Sequence, residues 1–108
     1  MVTKIFIDND ALSDFLAEQM IELILSKPNA LICFASGNSP RNTAACFVQK
    51  VKERKVDLSA FHFIGLDEWV GVPAPMHGSC HNDFKNWLFD PLQIEDSRYH
   101  LFNGMSSN

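Results

Sequence analysis

Apolar residues recur at three- and four-residue steps after Ala11 (Leu12, Phe15, Leu16, Met20, Leu23 and Ile24), which predicts one face of an amphipathic helix. The acids at 8–10 suit its start, because a side-chain oxygen there accepts from backbone N–H groups that the first turn leaves unpaired. Lys27-Pro28-Asn29 ends it, since proline disfavours helix in the residue before it. Ahead of this helix, residues 4–7 form a short apolar segment that predicts an edge strand. After it, ALICFA (30–35) is continuously apolar and bounded by breakers, the pattern of a strand buried on both faces. A small polar loop, Ser36-Gly37-Asn38-Ser39-Pro40, leads into a second helical pattern with Ala44, Phe47, Val48 and Val51 near one face. The charged run at 50–55 falls on its solvated end. FHFIGL (61–66) predicts a second buried strand. Beyond the GVPAP loop, Ser79 is placed to cap a third helix with an inner stripe of Cys80, Phe84, Trp87 and Leu88, closed by Pro91. Residues 99–102 start one more strand before a polar tail. Helix, strand, helix, strand with short links predicts an α/β fold with a parallel sheet.

Composition narrows this only a little. With 108 residues, 46% hydrophobic and 20% charged, the chain has the make-up of one small globular domain. A net charge of -4 argues against nucleic acid as the partner, which leaves a basic footprint. No apolar run reaches the length of a membrane span, and the start MVTKIFIDND lacks a signal-peptide layout. Three widely spaced cysteines, Cys33, Cys46 and Cys80, do not form a disulfide framework, and a reduced, cytoplasmic setting is expected. Cys33 and Cys46 are expected in the core as small hydrophobes. No repeat or interdomain linker interrupts the chain.

Two stretches carry chemistry. In ALICFASGNSPRNT a buried strand feeds a small loop and then a helix. Pro40 fits the first helical position and Ser39 its cap, so free N–H groups and the positive end of the helix dipole face the loop. An anion site and an ordinary strand-to-helix turn use the same residue types here. A nucleotide P-loop is not supported, because no Gly-x-x-x-x-Gly-Lys run is present. In FIGLDEWVGVP the second strand ends on Asp67-Glu68. Ligands of parallel α/β folds sit outside the carboxyl ends of the strands, so the SGNSP loop and Asp67 are expected at one edge of the sheet. A phosphate at one and a carboxylate at the other point to proton transfer on a phosphorylated small molecule, with Asp67 as general base. Capping of a turn is the competing reading for Asp67. The cluster His77, Cys80 and His81 is a weak metal candidate, because Cys80 falls on an inner helix stripe and no second pair exists. His62, between Phe61 and Phe63, reads as a packed or edge histidine.

ALICFASGNSPRNT, FHFIGLDEWVGVP and GSCHNDF, in that order, resemble the sugar-phosphate isomerase/deaminase family, which holds glucosamine-6-phosphate deaminases, galactosamine-6-phosphate isomerases and 6-phosphogluconolactonases. The likeness is densest over 30–92 and nearest to galactosamine-6-phosphate isomerase. It implies a Rossmann-like, three-layer parallel fold, of which residues 1–108 are the N-terminal part of a single domain. It also implies a reaction without metal or other cofactor: galactosamine 6-phosphate opens, loses its C2 proton to a carboxylate, gains one at C1, and yields tagatose 6-phosphate and ammonia. By position Asp67 matches the C2 base; Ser36, Gly37, Asn38 and Ser39 match the loop holding sugar hydroxyls and phosphate; Glu68 supports the loop. Trp69 stands where deaminases carry an aromatic residue and lactonases commonly carry Arg. Asn38 departs from the Gly or Ser of many relatives. The family's ring-opening histidine and acids, and its phosphate-gripping basic residues, belong to a later half, so this stretch alone is expected to be inactive. A 6-phosphogluconolactonase-type hydrolase and a non-catalytic sugar-phosphate-binding module are the alternatives. The expected partner is a small-molecule sugar phosphate, with no nucleic acid and no membrane, and an exposed sheet edge favours self-association as a homo-oligomer.

Overall fold

The structure is a computed structural model that describes residues 3–105; residues 1–2 and 106–108, the outer ends of the start segment and of the polar tail, lie outside the described residues. Three parallel strands form one sheet in the order β1-β2-β3: β1 (Leu31–Phe34), β2 (His62–Gly65) and β3 (Tyr99–His100). Leu31 pairs with His62 and Phe34 with Gly65, so β1 and β2 end side by side. β3 keeps only two residues of the four expected, pairing Phe63 with Tyr99 and Ile64 with His100. Residues 4–7 form no strand. Ile5 and Ile7 are more than nine-tenths exposed, and Phe6 packs on the Phe15 ring instead, 5.1 Å between centroids.

Helix α1 (Asn9–Ser26) begins as its acids dictate: Asp8 Oδ1 accepts from the Ala11 N–H at 2.9 Å. Its buried face is not the leucine stripe. Ser13, Ala17, Ile21 and Ile24 point inward, whereas Leu16 and Leu23 stay exposed. Small residues at 13 and 17 let α1 lie close against α2 (Asn38–Arg54), where the Thr43 hydroxyl donates to Ser13 Oγ at 3.3 Å. The charged run of α2 also has more to do than face water. Lys50 Nζ lies 2.8 Å from both Asp14 and Glu18, and Arg54 grips the same Glu18 carboxylate, clamping the two helices together. Hydrogen bonds from Arg54 and Lys50 hold the Glu18 pKa down at about 2. A depressed carboxylate stabilises the fold above its unfolded value of 4.5 and loses that contribution as pH falls toward about 2. Urea midpoints of wild type and Glu18→Gln are therefore expected to differ at neutral pH and to converge in acid.

The third helical region departs from a plain helix. α3 (Cys80–Phe84) runs into a π turn (Lys85–Phe89) and a last α turn, α4 (Asp90–Leu92). The Asp90 N–H reaches five residues back to the Lys85 carbonyl. Pro91 sits inside α4 and does not end it; Gln93 does, in the left-handed region at φ 54°. The core is aromatic. Phe63 meets Phe61, Phe47 and Phe89 at 4.6, 6.2 and 5.8 Å, and Phe34 meets Phe84 at 6.4 Å. The described helices cover this face of the sheet. Across the sheet, Leu31 and Cys33 are exposed, so Cys33 is not a core residue: its place in β1 turns it to the uncovered side. Cys46 is half-buried on α2. His62 lies on that side too, its Nδ1 3.1 Å from His100 Nε2 of the neighbouring strand. None of the described helices is long and apolar enough to cross a membrane.

Candidate active site

Because β1 and β2 are parallel and end level, the loops that follow them emerge at the same edge. The first, Ser36–Ser39, turns into α2 through Gly37, whose φ of 121° is a conformation that a Cβ disfavours. This shifts the helix start. Gly37 is the cap residue and Asn38 the first helical one, so Ser39 lies inside the first turn and Pro40 beyond the position expected for it. No side chain caps the turn. The Arg41 N–H closes the first helical turn on the Gly37 carbonyl and Pro40 has no N–H, so the N–H groups of Asn38 and Ser39 have no partner within the helix and, with the positive dipole end, face the loop. Ser36 is half-buried, while Gly37, Asn38 and Ser39 are exposed.

The second loop is held by Glu68. Its Oε1 accepts from the Trp69 and Cys80 N–H groups at 2.9 and 2.8 Å, and its Oε2 from the His81 N–H at 2.9 Å. Glu68 therefore ties the end of β2 to the first turn of α3. Burial pushes its carboxyl up, but the three backbone donors outweigh that and leave its pKa below the ordinary range. Ser79 caps α3 as expected: its Oγ accepts from the Asn82 N–H at 2.9 Å and donates to the Ala74 carbonyl at 2.6 Å. Removing the carboxylate in Glu68→Ala leaves three amides without their partner and is expected to cost about 1.5–3 kcal/mol of stability, read as a lowered urea midpoint. The carboxylate's contribution is present above the unfolded pKa of 4.5 and fades as pH falls through the lowered folded value.

Asp67 precedes this anchor and is exposed to solvent. Cys80 sits between the two loops. Buried at 4% exposure, its thiol donates to Asp67 Oδ1 across 4.0 Å. Burial raises the thiol's pKa, and the neighbouring Ser36 side chain offsets this only in part. The structure thus brings Ser36, Asp67, Glu68 and Cys80 together, with Gly37–Ser39 on the rim. The sequence pattern placed Cys80 only on a helix stripe; its spacing from Ser79 gave no sign of contact with Asp67. A second unforeseen contributor is Gly104. Its carbonyl accepts from the Gly71 N–H at 2.7 Å, and a Cβ there would come within 2.3 Å of the Trp69 carbonyl oxygen, so only glycine fits against the loop. In the sequence it belongs to a polar tail with no distinguishing feature. The other two members of the metal candidate diverge from Cys80: His81 meets the Tyr99 ring edge-on at 6.3 Å and His77 lies out in the loop.

No family model matches the chain. Among curated proteins it is 36% identical over 98 residues to AgaI of Escherichia coli strain K12, a candidate deaminase, covering 91% of this chain and 39% of that protein. It is 32% identical over 97 residues to the glucosamine-6-phosphate deaminase of Shouchella clausii strain KSM-K16, covering 90% of this chain and 39% of that one. The solved structure of a monomeric glucosamine-6-phosphate deaminase superposes with a TM-score of 0.88 at 22% identity, over 94% of this chain and 42% of the other, which establishes the shared parallel α/β fold. The chain spans about two-fifths of the length of these relatives. Along nine-tenths of its own length the chain is similar in sequence to members of the sugar-phosphate isomerase/deaminase family, and it shares their fold.

Proposed function

We propose that this chain supplies the proton-abstracting part of an amino-sugar-phosphate isomerase/deaminase acting on galactosamine 6-phosphate. One observation carries the reading: the uncapped start of α2 and the Asp67 carboxylate open on the same sheet edge, with the Cys80 thiol 4.0 Å from Asp67. In this reading Ser36 to Ser39 hold the phosphorylated sugar through backbone N–H groups and hydroxyls, with no metal required. Asp67 removes the C2 proton from the opened sugar. Glu68, bound by three amides, fixes the loop so that Asp67 stays over the C2 carbon. The proton returns at C1, and water replaces the nitrogen, giving the ketose phosphate and ammonia. The relatives' names support a deaminase; the galacto epimer rests on the likeness of the SGNSP, DEWVGVP and GSC stretches alone.

The test is a graft of this chain in place of the matching segment of a glucosamine-6-phosphate deaminase, with folding checked by thermal melting. The graft is expected to release ammonia from galactosamine 6-phosphate faster than from glucosamine 6-phosphate. Preference for the gluco epimer would move the assignment to glucosamine. Hydrolysis of 6-phosphogluconolactone without ammonia release would replace the deaminase by a lactonase, and binding of both sugars with no turnover would leave a binding module.

A further inference from the structure

A second concave site lies away from this edge. α2, the loop before α3, α3 and the π turn enclose a cleft of about 340 Å³, lined chiefly by Arg41, His77, Asn82, Asp83, Asn86 and Trp87. That volume lies within the ordinary range of small-molecule sites. Neither Asp67 nor any of Ser36 to Ser39 lines it. Among the described residues, none of the polar side chains in the cleft donates to or accepts from another protein group, although Asn82 and Asp83 are half-buried. The Arg41 guanidinium has no carboxylate partner there and lies over the Trp87 ring, 5.2 Å from its centroid. Stacking of this kind restrains the planar fork and leaves its N–H edge free to bind an anion in two-point fashion.

The backbone beneath the cleft supports a ligand site independently. Asn86 and Trp87 both stand on the π turn, Lys85–Phe89, where the helix takes up one extra residue. Such turns are rare and are frequently found at functional sites. Here the widening sends Leu88 and Phe89 into the core while Asn86 and Trp87 stay at the cleft.

We propose that this cleft binds a small polyhydroxylated anion, of the chemical class of sugar phosphates and aldonates. The Arg41 fork takes the anionic group, and the carboxamides of Asn82 and Asn86 with the Asp83 carboxylate take hydroxyls. Both Asn side chains offer a donor and an acceptor, which matches neighbouring hydroxyls, while Asp83 only accepts and so disfavours a bare anion. Occupation of this cleft does not depend on the reading of Asp67.

The experiment is a titration of the 108-residue chain with glucose 6-phosphate, gluconate, inorganic phosphate and glucose, followed by backbone and indole NMR shifts. Glucose 6-phosphate and gluconate are expected to saturate and to move Asn82, Asn86 and Trp87, with phosphate and glucose each weaker. Arg41→Ala is expected to weaken binding at least about tenfold, the loss of a charge-assisted pair. Asn86→Ala is expected to narrow the gap between glucose 6-phosphate and phosphate, and far-UV circular dichroism checks that both variants fold. Shifts confined to residues 36–39 and 67 would overturn the cleft as a site while leaving the proposed function standing. Phosphate binding as tightly as glucose 6-phosphate would overturn the hydroxyl recognition, and absence of shifts with all four probes would overturn the proposal.

Discussion

Asp67→Asn in the grafted enzyme is expected to reduce exchange of the substrate's C2 proton with solvent by roughly 10²–10⁴-fold, the usual contribution of a positioned general base. The substitution keeps the shape of the side chain and removes only its capacity to take a proton, so binding of the sugar phosphate and the melting temperature are expected to stay near wild type. The structure gives the reason for a small structural effect. Asp67 is exposed and accepts only a long 4.0 Å contact from the Cys80 thiol among the described residues, while the loop's anchoring passes through Glu68. Exchange is measured by loss of the C2 proton signal in deuterated solvent, which reports the abstraction step separately from ammonia release. Wild-type exchange in Asp67→Asn would remove Asp67 as the base. Equal loss in Asp67→Asn and Glu68→Gln, each with an unchanged melting temperature, would transfer the role to the pair.

Phe63→Ala is expected to lower stability by roughly 3–5 kcal/mol, the range for deleting a buried aromatic ring. Phe63 is 1% exposed and sits at the centre of the aromatic core, touching Phe61 just ahead of β2, Phe47 from α2 and Phe89 from the π turn. These neighbours belong to different elements and cannot all close the gap, so most of the cavity stays. Domains of this size have only about 5–15 kcal/mol in hand, so the variant is expected to populate unfolded chains at modest urea. Leu31→Ser provides the contrast. Leu31 is 58% exposed on the uncovered face of the sheet, and its replacement is expected to change stability by no more than about 0.5 kcal/mol. Equilibrium urea unfolding reads both; equal effects would contradict the one-sided core. Phe63 also precedes Asp67 by four residues, so a relaxed core reaches the site through β2.

The strands were legible because ALICFA and FHFIGL are short apolar runs closed by breakers, and the observed strands fall inside both. The acid cap of α1 and the Ser79 cap of α3 were legible for a similar local reason: each side chain bonds an N–H three residues on. The face of α1 was not. Two apolar stripes run side by side on it, and close approach to α2 selects the one with Ser13 and Ala17 over the leucines. Nor was the start of α2, where the helix begins at Asn38 after a positive φ at Gly37, ahead of the expected Ser39 cap. The π turn at 85–89 leaves no mark in a three-and-four-residue pattern.

By itself, then, the sequence determined the parallel α/β arrangement and the two loops proposed to carry chemistry, because apolar runs, breakers and caps act over a few neighbouring residues. The tertiary structure alone decided that the Cys80 thiol meets Asp67, that Glu68 locks the end of β2 to α3, that Gly104 closes on Trp69 and that Cys33 faces outward. Those contacts depend on sheet register and on how helices pack across it, and both are settled by the whole core at once.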